Sequence, residues 1–227
     1  MKSIKSLFAI SALMTLAACG GGGSSTAPST TTTYPLRSGY QSLISQSEVN
    51  SFSISGTCTG TATETRSAAV PATFEGTTGV STTTTLTGSY SNCTPASFAS
   101  TGISYYDTNY KPLGSATPGS DYAVYSVTDL PISVKVGDTA QFGTADVYSS
   151  STKQVKTGTR TLSYAVETDS GNTAIINVIT KAYNTSNQLI FTQQSRSRIN
   201  ASGQFTAVSK DIQYSTTNTS HMLWTKN

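Results

Sequence analysis

The chain has 227 residues, with 14 Lys and Arg, 11 Asp and Glu, one His and 11% charged residues in all. Two of the basic residues, Lys2 and Lys5, fall within the first five positions, and without them the 14 become 12, a net charge of +1. Basic runs do not occur, so the electrostatic footprint of nucleic-acid binding is missing and that class of partner is excluded.

At the N-terminus, Lys2 and Lys5 precede the apolar or small stretch SLFAISALMTLAA, residues 6–18. A basic start, a short apolar run and small residues before a break are the parts of a secretory signal peptide. The run falls short of the roughly 20 apolar residues of a membrane-spanning helix. Its end, Leu16-Ala17-Ala18-Cys19, resembles the lipobox of bacterial lipoprotein precursors. That resemblance implies cleavage after Ala18 and acylation of Cys19, palmitate among the chains, which anchors the protein to a membrane. It further implies sorting to the outer membrane, because Gly20 rather than an acidic residue follows the cysteine. Residues 1–18 thus read as a lipoprotein signal peptide. Residues 19–33 read as the lipidated cysteine and a flexible tether, GGGGSSTAPSTTTT, that spans on the order of 20 Å. One domain, residues 34–227, follows.

Ser38 to Ser47 has helical spacing, with Tyr40, Leu43 and Ile44 on one side. From there on the signal is β. SFSISGTCTGTATET, residues 51–65, alternates with period two and reads as one strand: Phe52, Ile54, Gly56, Cys58, Gly60 and Ala62 face one way, Ser and Thr the other. A short strand near Ala72 to Glu75 and a Thr-rich one from Ser81 to Cys93 follow. The last brings Cys93 towards Cys58, and two thiols in an oxidising compartment pair with each other. Ranks of Thr suit ice binding only as a flat repeated array, and no fixed repeat length is present, so a solvated β-face is expected.

Strand and turn signals then recur: ISYY, the turn Asp107-Thr108-Asn109, YKPLG, DYAVYSV, PISVKV and AQFGTADVYS. The last third reads TLSYAVET, TAIINVITKAY, LIFTQQSRSRI and QFTAVSKDIQY with short polar turns between, an antiparallel meander of hairpins. Thr173 to Tyr183 is apolar on both faces and is expected to be a buried central strand. Arg196 and Arg198 share a face with Gln194 that should meet solvent or a polar groove. The expected fold class is all-β, an antiparallel β-sandwich or half-open barrel.

Chemistry is sparse. The single histidine, His221, has no G-x-S-x-G elbow to serve and reads as a surface residue on a final strand. Two distant cysteines and one histidine cannot complete a metal site, and Asp107 and Asn109 offer too few ligands for a calcium loop. Ser150 to Lys153 matches S-x-x-K, Lys156 to Gly158 matches K-T-G, and Ser170 to Asn172 resembles S-D-N. Their order and spacing are wrong for penicillin-binding enzymes, and no helix is predicted there. No cofactor, metal or catalytic residue is therefore assigned. The remaining candidate is a tyrosine cluster, Tyr105, Tyr106, Tyr110, Tyr122 and Tyr125, suited to stacking on a glycan or an envelope protein, with cross-strand aromatic packing as the plainer explanation.

Three functions remain open: a non-enzymatic outer-membrane lipoprotein for binding or envelope structure, a carrier of a hydrophobic ligand on an apolar concave face lined by Ile175, Ile179 and Tyr183, and, last, an envelope hydrolase.

Overall fold

The computed structural model describes residues 32–215 and 220–227, so the expected signal peptide, the expected lipidation site Cys19 and all but the last two residues of the expected tether lie outside the described residues. Twelve strands form one antiparallel sheet that closes on itself. In chain order they are β2 (Glu48–Gly56), β3 (Gly60–Arg66), β5 (Thr77–Tyr90), β6 (Ser97–Asp107), β7 (Pro112–Thr117), β8 (Asp121–Val127), β10 (Thr139–Tyr148), β11 (Lys156–Thr168), β12 (Thr173–Asn184), β13 (Leu189–Asn200), β14 (Phe205–Tyr214) and β15 (His221–Lys226). Around the ring each pairs with the next, and β15 returns to β2 with Trp224 opposite Ile54. The short β4 (Val70–Phe74) continues the line of β3 along the same partner, β5. The all-β meander of hairpins expected from the sequence is present. The barrel is fully closed rather than half-open, since the β15–β2 ladder leaves neither strand as a free edge.

Outside this ring lie a two-residue ribbon of β1 (Thr33–Tyr34) with β9 (Val134–Lys135) and one helix, α1 (Leu36–Ser45). Thr33, taken as the tether's last residue, is thus already paired. The helix starts two residues before the stretch read from the sequence. Pro35 occupies its N-cap, and the Pro35 carbonyl accepts the Gly39 N–H at 3.1 Å. Tyr34 and Leu36 pack with Val134, Tyr164, Val166, Ala174, Ile176 and Ile199, so ribbon and helix close one end of the barrel with an apolar cluster.

Strand alternation divides the residues between lumen and outer wall. Asn50, Phe52 and Ile54 of β2 point inward, as do Ala62 of β3 and Trp224 of β15. The sequence between Ser51 and Thr65 is two strands, not one. Gly56 adopts φ +106° and a turn at 57–59 reverses the chain, carrying Cys58 out of the sheet and into a disulfide with Cys93, Cα to Cα 5.7 Å. The period-two pattern runs on across the turn because Phe52 and Ala62 are register partners and share the inward face.

The small inward residues make room for rings. A Cβ on Gly88 would lie 2.4 Å from Phe98 Cζ, and Phe98 stacks on Tyr90 at 4.7 Å and tilts against Trp224 at 5.8 Å. Ion pairs line the lumen as well: Lys210 of β14 with Glu64 of β3 and Arg160 of β11 with Asp121 of β8 span intervening strands, while Arg66 meets its register partner Glu48 on the adjacent strand at 3.1 Å.

On β12 the even residues Ala174, Ile176 and Val178 face inward. Ile175, Ile179 and Tyr183 therefore stand on the convex outer wall, and the concave lining expected of them is corrected: register, which periodicity alone cannot supply, assigns the two faces. For the same reason β12 is no central strand, because a closed ring has none. Its outer side is nonetheless covered, since the Asn177 amide donates to Glu167 Oε1 at 2.6 Å and Gln194 Oε1 at 2.9 Å. Arg196 and Arg198 lie on that outer wall as expected, paired with Glu167 at 3.1 Å and Asp169 at 2.5 Å.

Candidate ligand-binding site

The five tyrosines do not make one surface. Tyr106 is buried and faces the lumen, its ring edge-on to Tyr40 of α1 at 6.3 Å between centroids. Tyr125 also points inward, its hydroxyl 3.0 Å from Ser115 Oγ. Tyr105 and Tyr122 are on the outer wall, both stacked on Phe74 at 4.6 and 5.3 Å. Gly114 explains the stack: a Cβ there would sit 2.2 Å from Phe74 Cζ, so the phenyl ring covers bare backbone between the two tyrosines. The Tyr122 hydroxyl donates to Glu75 at 2.6 Å, and its pKa is raised, first by desolvation and then by that carboxylate. Glu75 is shifted down, mainly by Lys153. Tyr110 lies in the β6–β7 turn with φ +63°. That turn is built by Asp107, whose Oδ1 accepts the Asn109 and Lys111 amides at 2.8 and 2.9 Å.

The inward tyrosines belong to a different arrangement. Between α1 and the barrel wall lies an apolar cavity of about 260 Å³. Its floor is α1, with Leu36, Tyr40 and Leu43. Phe142, Leu162, Tyr164, Ile176, Val178 and Phe205 form most of the wall, and Ser104, Ser195 and Ser197 add a few hydroxyls. Burial pushes the Tyr40 phenol well above its ordinary value, with Tyr106 adding to the effect, and burial also raises Tyr106. Both phenols are neutral at any physiological pH.

Beside this cavity is a polar vestibule of about 250 Å³, lined by Arg37, Gln41, Asn109, Tyr110, Lys111 and Asp129. Tyr40, Pro112 and Leu130 are common to both, so these three side chains form the partition. Arg37 is held in place. Its Nε donates to the Leu130 carbonyl at 2.7 Å, its Nη2 reaches the same oxygen, and its backbone N–H bonds Ile132 O at 3.4 Å.

Tyr40 and Leu43 were visible in the sequence as helical residues, and the even positions of TAIINVI as apolar ones. Arg37 and Lys111 carried no signal, because the vestibule draws on residues more than 70 positions apart in the chain.

The groups considered for catalysis lie elsewhere. His221 is on the last strand, as expected, with its ring 2.9 Å from Asp211 Oδ1 and its side chain 47% exposed. Ser150 and Lys153 occupy an exposed loop, Lys156 opens β11, and Ser170 sits in the β11–β12 turn. Among the described residues, no group of three or more His, Cys, Asp or Glu is placed to hold a metal ion.

No family model matches the sequence, and no curated protein matches it. Among solved structures, the chain is similar to a protein from Bacteroides fragilis inferred to be exported, with a YmcC-like fold, seen in a 2.22 Å crystal structure. The TM-score is 0.37 at 8% identity, over 80% of this chain and 94% of that one. A likeness at that level carries no inference about what this chain binds or does.

Proposed function

We propose that the protein is an exported, non-enzymatic lipoprotein of the outer membrane whose barrel carries a small hydrophobic ligand in the cavity under α1. The observation that carries this reading is the cavity itself: a space of about 260 Å³ with a predominantly apolar wall. An apolar cavity of roughly 150 Å³ is enough to stay dry and bind benzene. In proportion, this one has room for a chain of roughly eight to ten carbons. Carriage, rather than a permanent structural lipid, fits the floor of the site, a single short helix that can shift without breaking the ring.

The outer wall supports tethering by a lipid anchor rather than insertion as a membrane barrel. Ser51, Ser53, Thr61, Thr63, Thr65, Thr83, Thr85 and Thr87 occupy outward positions on adjacent strands. A barrel that spans a bilayer presents an apolar band there. Binding to an envelope protein or glycan through the outer wall is a lesser reading, since Tyr105 and Tyr122 are already engaged with Phe74.

The test is a titration of the mature chain, residue 19 onward in unacylated form, with 1-octanol, followed by methyl NMR. Eight buried methylenes give roughly 6 kcal/mol of gross burial. Association costs at least about 4 kcal/mol, which leaves about 2 kcal/mol and a dissociation constant of tens of millimolar, so the shifts are read as partial occupancy in fast exchange. The methyl signals of Leu162, Ile176 and Val178 should shift in the wild type. Val178→Trp, which fills the cavity, should abolish the shifts at Leu162 and Ile176 while the protein stays folded. Absence of any shift in the wild type up to the solubility limit of octanol would refute the carrier reading. For the anchor, Cys19→Ala should free the protein from the membrane fraction or leave an uncleaved precursor. A normally processed, fully retained protein would rule out acylation of Cys19.

A further inference from the structure

The vestibule gives the ligand a chemical class. Resting on the carrier reading above, we infer that the ligand is a single-chain anionic amphiphile, its tail in the apolar cavity and its acidic head in the vestibule between Arg37 and Lys111.

Three observations support this. The first is adjacency: the two spaces adjoin at Tyr40, Pro112 and Leu130, so a molecule with its tail in one and its head in the other has its ends in chemically opposite surroundings. The second is charge. Arg37 forms no ion pair with a carboxylate among the described residues. Lys111 meets Asp129 only loosely, at 3.8 Å, and the Asp129 side chain is 66% exposed. Two cations against one solvated carboxylate leave the vestibule net positive. The third is preorganisation. The Leu130 carbonyl fixes the guanidinium through Nε and Nη2, which uses two of its five N–H donors and leaves three free. A donor already held in place loses little freedom on binding.

A carboxylate and a phosphate monoester share the anionic oxygens that such a site recognises. A cationic head would be repelled, and a neutral one would leave the donors without a charged partner.

The experiment compares four eight-carbon ligands on the unacylated mature chain, at low salt, by the same methyl NMR titration: octanoate, octyl phosphate, octanol and octylamine. Octanoate and octyl phosphate should each bind about tenfold more tightly than octanol, as a charge-assisted hydrogen bond in a partly exposed site gives. The preference between the two acids then distinguishes a carboxylate from a phosphate source. Lys111→Gln should cut the anionic advantage to about threefold or less and leave octanol affinity unchanged. Arg37→Gln should do the same more strongly, and Lys111→Gln serves alone if loss of the Leu130 contact unfolds that variant. Equal affinity for octanol and octanoate, or tighter binding of octylamine, would overturn the inference while the carrier reading stands. Failure of all four to bind would remove both.

Discussion

Gly39 sits inside a helix, where replacing it by alanine ordinarily stabilises by about 1 kcal/mol. Here the reverse is expected. A Cβ at Gly39 would lie 2.4 Å from the Gly203 carbonyl oxygen and 2.9 Å from Phe205 Cε2. The ring can turn away, but the carbonyl belongs to a tight turn in which Gly203 holds φ +83°. Relief therefore requires α1 to lift from the β13–β14 turn by the better part of an ångström. Overpacking of this kind costs roughly 1 to 3 kcal/mol, so the net effect of Gly39→Ala is a loss of up to about 2 kcal/mol. For a domain of this size that lowers Tm by up to roughly 8 °C. Because α1 is the floor of the cavity, octanol affinity should change with it. Thermal denaturation and the octanol titration on the same sample check both. A raised Tm with unchanged ligand affinity would refute the close helix–turn contact.

Two further outcomes follow from the covalent and charged parts of the barrel. Cys58→Ser opens a loop of 35 residues, which in the chain-entropy account removes about 3 to 4 kcal/mol; denaturant titration should show a lower midpoint, and an unchanged one would mean that the two cysteines do not stabilise the fold. Asp169 is held at about 2 against an ordinary 3.8, chiefly by the Arg198 hydrogen bond and then by Thr173. Its folded value lies below its unfolded one, so its stabilisation is complete above about pH 4 and is lost as pH falls towards 2. Asp169→Asn should flatten the stability profile in that window, and an unaltered acid slope would place the titration elsewhere.

The sequence made the strands legible and left their closure hidden. DYAVYSV is β8 residue for residue, and the four runs of the last third are β11 to β14, with ends one residue off except that β11 begins five residues before TLSYAVET. These segments have strict alternation or β-branched runs and are bounded by polar turns, so local chemistry decides them. The β15–β2 ladder joins residues some 170 positions apart, and no local pattern encodes such a pairing. The tyrosine cluster shows the same limit. Tyr105 and Tyr106 are adjacent in sequence and therefore lie on opposite sides of the wall. PISVKV reads as a full strand yet yields only Val134–Lys135, because its partner, β1, offers two residues.

The width of the ring explains why this barrel has both a cavity and a charged lumen. Eight strands enclose about as much space as side chains can fill, and the diameter grows with strand number. Twelve strands enclose more than that, so something besides ordinary core residues must occupy the middle. At one end the chain supplies α1 and the β1–β9 ribbon. Elsewhere on the inner face, Lys210 of β14 reaches Glu64 of β3 past two intervening strands and Arg66 meets Glu48 on the adjacent strand, where each ion's partner offsets its loss of water. Between plug and wall neither device reaches. Ser104, Ser195 and Ser197 line that region with short side chains, and the space they leave is the cavity. Replacing those serines with large apolar residues would complete the core at no cost to the ladder hydrogen bonds. The cavity is therefore a consequence of side-chain choice, not of strand count alone, and it is at those same positions that a ligand-binding role can be removed without dismantling the barrel.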